Sequence, residues 1–324
     1  IAVVPQRPEP LDQPAEMRIH VPDGRLKPPE VAPDRRQIGQ VRWNIHVLRR
    51  NGPAVQVVCA APRACVRLLA ADVEIERLAA IARAEVGERV VEGVFHRRAR
   101  EHGNGEGYDT ISASGPHACY LHWTRNDGPV RPGELVLIDA GIEIDSLYTA
   151  DITRTLPVDG VFTDIQRKVY NAVLDAADAA IAVVRPGTPF RAMHDAAMEV
   201  LAHRLAEWGL LPVTAQEALA ESGGQHRRWM VHGTGHHLGL DVHDCAQARS
   251  ELYLDGVLEP GMIFTIEPGL YFKADDELVP AEYRGIGIRL EDNVLVTADG
   301  GRSLTGALPR RPEDVETWMA TLRP

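Results

Sequence analysis

The sequence predicts an α/β (α+β) fold made of two related halves, each a helix pair with a strand pair, set with pseudo-twofold symmetry around a curved, mainly antiparallel sheet. Three observations lead there. A turn, strand, acid, second strand, acid, turn pattern occurs twice. Segments with helical spacing accompany each copy, and an apolar content of 44% over 324 residues is ample for a sizeable core.

Residues 1–71 stand apart from the rest. Pro5, Pro8, Pro10, Pro14, Pro22, Pro28, Pro29 and Pro33 punctuate a stretch with little periodicity, and only a short strand is expected, at Val55 to Cys59. This segment is expected to be poorly ordered and is read as a truncated or atypical N-terminal domain. The chain opens at Ile1 without Met, which leaves room for a leader or an upstream domain. A second domain is expected over 72–324. It opens with two helices, Asp72 to Glu85 and Glu88 to Glu101, carrying apolar residues at helical spacing (Val73, Leu78, Ile81; Val90, Val91, Val94, Phe95) and bounded by Gly87 and Gly103.

The first repeat follows. Pro132-Gly133 precedes Asp139 and Gly141 follows it; Pro260-Gly261 precedes Glu267 at the same offset, and Gly269 follows. Asp151 opens a stretch that ends at Gly160, as Glu291 opens one that ends at Gly300, so each acid lies nine residues before a glycine. Between the copies, Asp164 to Val184 reads as a helix ending before Arg185-Pro186-Gly187. Pro189 to Trp208 reads as another, with Thr188 as N-cap, Pro189 in the first turn and Gly209 as the stop. These helices are expected to cover one face of the sheet.

The acids suggest the chemistry. Asp139 follows an apolar strand, and Asp151 sits in a Thr-rich one where a buried carboxylate is costly unless it is paired or metal-bound. A hairpin turning near Asp145 can bring the two together. With His236, Glu267 and Glu291 they form an oxygen-rich set with charge enough for two divalent cations, better suited to Mn²⁺ or Co²⁺ than to a thiolate-seeking metal. The segment H-G-T-G-H-H-L-G-L-D-V-H-D, His232 to Asp244, holds more imidazoles than one site needs. The spacing of His232 and His236 matches a helical zinc motif, but Gly233 and Gly235 weaken a helix and no H-E-x-x-H glutamate is present. One imidazole can bind metal while another hydrogen-bonds substrate or a developing oxyanion. His237 is expected on the pocket wall or the surface, and a lone His122 beside Trp123 is ordinarily structural. Of the pair Glu291 and Asp292, one is ordinarily solvated, and the repeat alignment selects Glu291 as the inward acid.

Bulk properties narrow the classes further. The formal charge of −11 with no long basic run argues against nucleic-acid binding. Cys59, Cys65, Cys119 and Cys245 lack paired zinc spacing and disulfide density, which favours a reducing compartment, the cytoplasm. No apolar run reaches membrane-spanning length.

The chain from about Asp72 onward resembles the pita-bread metallopeptidases, and within them the Xaa-Pro aminopeptidases. The resemblance is carried by H-G-T-G-H-H-L-G-L-D-V-H-D, Y-T-A-D-I-T-R-T-L-P-V-D-G, T-I-E-P-G-L-Y and E-Y-R-G-I-G-I-R-L-E-D-N. It implies that Asp139, Asp151, His236, Glu267 and Glu291 bind two metal ions, usually Mn²⁺, with Co²⁺ or Zn²⁺ as alternatives. It also implies that His122, His232 and His243 contact substrate around the scissile bond, and that Arg289 and Tyr271 take supporting and pocket positions. The expected substrate is a peptide with proline in second place, cleaved by a metal-bridged hydroxide. Glu267 would then serve as general base, and His243 as donor to the oxyanion. The family's N-terminal domain, which helps close the site and assemble subunits into a homo-oligomer, is not matched before Asp72. Prolidase, an Xaa-Pro dipeptidase, is the alternative, and a non-catalytic pita-bread binding module ranks behind it.

Overall fold

The computed structural model describes residues 87–321. The Pro-rich segment, the strand expected at Val55 to Cys59 and the helix expected at Asp72 to Glu85 lie outside the described residues.

Helix α1 spans Glu88–His102 between Gly87 and Gly103, and it buries Glu88, Val91, Phe95 and Ala99 at helical spacing. Val90, expected on the inner face, is instead 43% exposed, because the buried stripe runs through Val91 and Phe95. Short strand β1 (Gly105–Glu106) leads to β2 (Ile111–Ser114), a 3₁₀ turn at Gly115–Cys119, then β3 (Leu135–Ala140), β4 (Ile142–Glu143) and β5 (Ile152–Pro157). β2, β3 and β5 form one antiparallel sheet with β3 central, and β1 pairs with β4.

Two long helices separate the halves. α2 (Asp164–Ala182) starts in a capping box: the Thr163 hydroxyl accepts from the Gln166 amide, and the Gln166 side chain accepts from the Thr163 amide. α3 (Ala192–Glu207) begins three residues later than Pro189, the start read from sequence, and its N-cap is Arg191 rather than Thr188. The backbone explains this. Residues 187–190 are drawn into pairing with 256–258, through Gly187 N–H to the Leu258 carbonyl (2.8 Å), Leu258 N–H to the Thr188 carbonyl (2.8 Å) and Phe190 N–H to the Gly256 carbonyl (2.9 Å). A short helix α4 (Ala215–Leu219) and a 3₁₀ turn at Gln225–Arg228 follow.

The second half contains β6 (Ile263–Ile266), β7 (Gly269–Phe272), β8 (Ile286–Arg289), β9 (Asp292–Thr297) and β10 (Gly300–Ser303), before the last helix, α5 (Pro312–Thr321). β9 lies between β6 and β10, and β7 pairs with β8, all antiparallel. The duplication read from sequence is repeated in backbone conformation. Gly133 and Gly261 have φ of 82° and 97°, and Gly160 and Gly300 have φ of 75° and 139°, so these two matched pairs of turn glycines occupy the region that side chains disfavour.

α2 packs on α3 and also against β6, β7, β8 and β10, giving the helix-covered face expected. On the other side the halves join along β5. The Thr155 hydroxyl donates to the Arg289 carbonyl (2.9 Å), Glu291 N–H reaches the Thr153 carbonyl (3.1 Å), and the Asn293 side chain pairs with the Asp151 backbone.

Candidate metal centre

Strand register brings the four acids to one place. Asp139 lies opposite Thr153, so Asp151, two residues before Thr153, shares its face of the sheet. In the second half Ile266 lies opposite Asp292, which leaves the next residues, Glu267 and Glu291, flanking the end of that pair. The seam along β5 then places both acid pairs over one cavity of about 540 Å³. Its lining includes Asp139, Asp151, His236, Glu267 and Glu291, together with His122, His232, His243 and Arg289. Tyr271 lies behind the wall, where its hydroxyl meets His232 Nε2 at 2.7 Å and Arg289 Nη1 at 3.1 Å.

The tightest grouping is Asp151, His236 and Glu291, whose ligand atoms lie within 4.8 Å of one another. His236 Nε2 is 3.2 Å from Asp151 Oδ2 and 3.7 Å from Glu267 Oε1. Its Nδ1 faces the His237 carbonyl at 3.1 Å, which holds the ring with Nε2 turned to the acids. The Thr153 hydroxyl orients Glu291 (2.7 Å to Oε2). Asp139 is held differently, by Arg289 Nη2 at 2.5 Å.

Sequence reasoning missed Tyr108. Its hydroxyl is shared between Asp139 Oδ1 (2.6 Å) and Asp151 Oδ1 (2.5 Å), and no repeat or motif marks it. Two readings need correction. His237 is not on the cavity wall; it stacks on Phe190 (centroids 4.5 Å apart) and meets Tyr253 edge-on, packed there because neighbouring residues alternate across the chain. Asp292 is not solvated but 1% exposed, paired with Arg154 at 2.7 Å and Arg310 at 2.6 Å. Two guanidiniums offset its burial, which is why both members of the acidic pair point inward. His232 lines the cavity, yet both its ring nitrogens already meet protein, at the Gly233 carbonyl (2.7 Å) and the Tyr271 hydroxyl. His122 and His243 are exposed to the cavity, and their rings form no hydrogen bond among the described residues.

Crowding of acids shapes the protonation. Burial pushes the Glu267 carboxyl up to about 7, against the pull of His236 and Arg289, with Asp151 and Asp139 adding to the rise. Burial, then the charges of Asp151, Glu267 and Asp139, hold Glu291 well above the usual range, and burial likewise raises Asp139 despite Arg289. Asp151 goes the other way: burial opposes its charge, but the His236 hydrogen bond and charge outweigh burial and lower it. His236 is raised to about 9, since Asp151 overcomes burial, whereas burial and Arg289 push His232 down to about 3, leaving it neutral. Carboxyls whose affinity for protons is raised by burial and by one another's charge, with a fixed imidazole beside them, suit a divalent cation. The spacing of Asp151, His236 and Glu291 is compatible with ligand bonds of about 2.0–2.2 Å after slight contraction.

Comparison with known proteins decides the family. Residues 55–298 match the model of metallopeptidase family M24. The chain belongs to that family. Among relatives of this M24 chain, Xaa-Pro aminopeptidase 1 of Streptomyces coelicolor is 60% identical over 73% of the chain and 48% of its own length. An alanine variant of Escherichia coli aminopeptidase P superposes with a TM-score of 0.76 at 36% identity, covering 85% of this chain and 60% of that one. The zinc-substituted E. coli enzyme with product gives 0.74, also at 36% identity and with the same coverage. The M24 chain thus spans about half the length of the curated relatives it matches. Its duplicated architecture is the pita-bread fold that the resemblance implied. No helix among the described residues is long and apolar enough to cross a membrane.

Proposed function

We propose that this chain carries the catalytic centre of a metal-dependent Xaa-Pro aminopeptidase, which releases the first residue of peptides with proline second. The observation that carries the reading is the convergence of Asp139, Asp151, His236, Glu267 and Glu291 in one cavity beside His122 and His243, whose rings form no hydrogen bond among the described residues. Two divalent ions, Mn²⁺ first and Co²⁺ or Zn²⁺ as alternatives, are held by those five residues. Zinc belongs in the series because the substituted E. coli enzyme has been solved with product. When bound, such ions act as Lewis acids and lower the pKa of water.

The remaining roles fall to this chain's own groups. Glu267, on the cavity wall beside His236, orients the attacking water and takes its proton. His243 and His122, both on the cavity wall, supply donors for the carbonyl oxygen as it gains charge. His232, with both nitrogens engaged, fixes the Tyr271 and Arg289 chain behind Asp139. Ile111, Leu121 and Val242 give an apolar wall for the proline ring.

One feature favours the aminopeptidase over prolidase. A dipeptidase must recognise the proline carboxylate, yet among the described residues the only Arg or Lys on the cavity wall is Arg289, which is buried and committed to Asp139, Thr153 and Tyr271. The acidic, cysteine-poor composition supports a cytoplasmic setting. Hydrolysis of matched Xaa-Pro dipeptides and Xaa-Pro-Yaa tripeptides with added Mn²⁺ tests the reading. First-residue release from the tripeptide, with a sharp fall in kcat/KM when Pro becomes Ala, is expected. Cleavage of the dipeptide alone would turn the assignment to prolidase, and cleavage of neither would leave a binding module.

A further inference from the structure

We propose that Glu88 is a positioning residue for the His122 side of the cavity, acting through a buried hydrogen-bond hub. The inference rests on the reading above, in which His122 faces substrate. Glu88 opens α1, outside both repeats, and is 0% exposed. Four donors converge on its carboxylate. Oε1 accepts from Ser114 N–H (2.8 Å) and faces His117 Nδ1 (2.8 Å), while Oε2 accepts from the Trp123 indole (2.8 Å) and Gly128 N–H (2.7 Å). A buried carboxylate is costly unless its lone pairs are filled, and here its full acceptor capacity is used.

All four donors belong to residues 114–128, the segment that bears His122. Trp123 is fixed on several sides. Its N–H is bound by Glu88, its face stacks on His117 with centroids 3.9 Å apart, and it packs against the small core of Ile111, Ala113, Ala118 and Leu137. Its chain neighbours Leu121, His122 and Thr124 line the cavity, so the anchored indole sets where they point. A second anchor follows at Asn126, whose side chain pairs with the backbone of Thr110 and Ser112 at 2.9 Å each. There is no slack at the hub: a Cβ on Gly128 would press into the His117 ring and lie 3.0 Å from Glu88 Oε2. The His122 ring itself makes no hydrogen bond among the described residues, so its place is inherited from this segment.

A helix-to-loop staple that only stabilised the fold would lose activity independently of His122, whereas a positioning residue works through it. A double-mutant cycle separates the two. Glu88→Gln keeps the shape but turns one acceptor into a donor facing N–H groups; Trp123→Phe keeps the stacked ring and removes one donor. With an Xaa-Pro-Yaa peptide and Mn²⁺, each change is expected to lower kcat/KM roughly tenfold or more, the cost of a small misplacement. Neither is expected to lower further the activity of the His122→Ala chain. Additive losses, or no loss from His122→Ala or from the hub variants, would overturn the proposal. Should Glu88→Gln fail to fold, Trp123→Phe completes the cycle by itself. A readout independent of turnover is the ¹⁵N-histidine NMR spectrum of the zinc-loaded chain. The His122 ring signals should move or broaden in the hub variant while those of His243 stay, and unmoved His122 signals would refute it. A wild-type chain that cleaves no Xaa-Pro peptide defeats the aminopeptidase reading alone, and the spectra then decide the role of Glu88.

Discussion

Cation binding to this centre should release at least one proton per chain near neutral pH. The figure follows from the metal-free site. His236 at about 9 is almost fully protonated at pH 7, and Glu291 is shifted upward, toward holding its proton, by burial and its acidic neighbours. Glu267, at about 7, contributes roughly half a proton more, while Asp151 is already ionised. Ligand atoms must be bare to bind a cation, so these protons leave. With at least one displaced, the apparent affinity climbs at least roughly tenfold per pH unit between about pH 6 and pH 8. Calorimetric titration with Mn²⁺ in two buffers of different ionisation enthalpy counts the protons directly. Fewer than about half a proton per chain would refute the account of His236 and the buried acids as proton-holding in the metal-free site. The same shifts fix a sign for stability. The His236 contribution is complete below its ordinary 6.5 and is lost as pH rises through about 9, and raised Glu291 likewise loses its contribution as pH climbs above its ordinary 4.5. Depressed Asp151 is opposite: its share is present above 3.8 and fades only in acid, as pH falls through its lowered value. The metal-free chain should therefore melt at lower temperature as pH goes from about 6 to 9, and the gain on adding cation should widen over that range.

Other outcomes follow from the same geometry. Glu267→Gln should retain most of the bound metal while turnover falls, by about a hundredfold or more, whereas Asp151→Ala should lose metal by elemental analysis; near-normal turnover in metal-loaded Glu267→Gln would remove the base from that residue. Tyr108→Phe strips the hydroxyl shared by Asp139 and Asp151, so it should destabilise the metal-free chain by about 1–3 kcal/mol and the metal-bound chain by less, read from melting with and without chelator. Equal losses in both states would detach Tyr108 from the acids. Asp292→Ala leaves Arg154 buried without its carboxylate and should cost about 3–5 kcal/mol in urea unfolding; a loss below about 1 kcal/mol would show that the pair contributes little.

The parts of this molecule that repeat were the parts legible in its sequence. The matched frames around Asp139 and Glu267, and around Asp151 and Glu291, rest on turn glycines and strand alternation, which are local rules. Local rules also located α1, α2 and the stop of α3 at Gly209. What escaped depends on partners distant in the chain. The start of α3 moved because residues 256–258 pair with 187–190, a contact that overrides a good capping sequence. Asp292 is buried because Arg154 and Arg310 arrive from elsewhere, and Tyr108 and Glu88 matter through groups tens of residues away. No spacing within one segment announces such residues.

The seam along β5 bears on how such a centre could have arisen. Asp139 and Asp151 come from one half and Glu267 and Glu291 from the other, and the imidazole of His236 also comes from the second half, on a stretch that pairs with β6 as β2 pairs with β3. An ancestral single copy would have possessed two carboxylates, too few to hold a pair of cations, and would have gained four only by docking against a second copy of itself. On the two-cation reading proposed above, two docked copies would already assemble the four carboxylates, and joining them in one chain lets the second copy add an imidazole, His236, without the first having to match it.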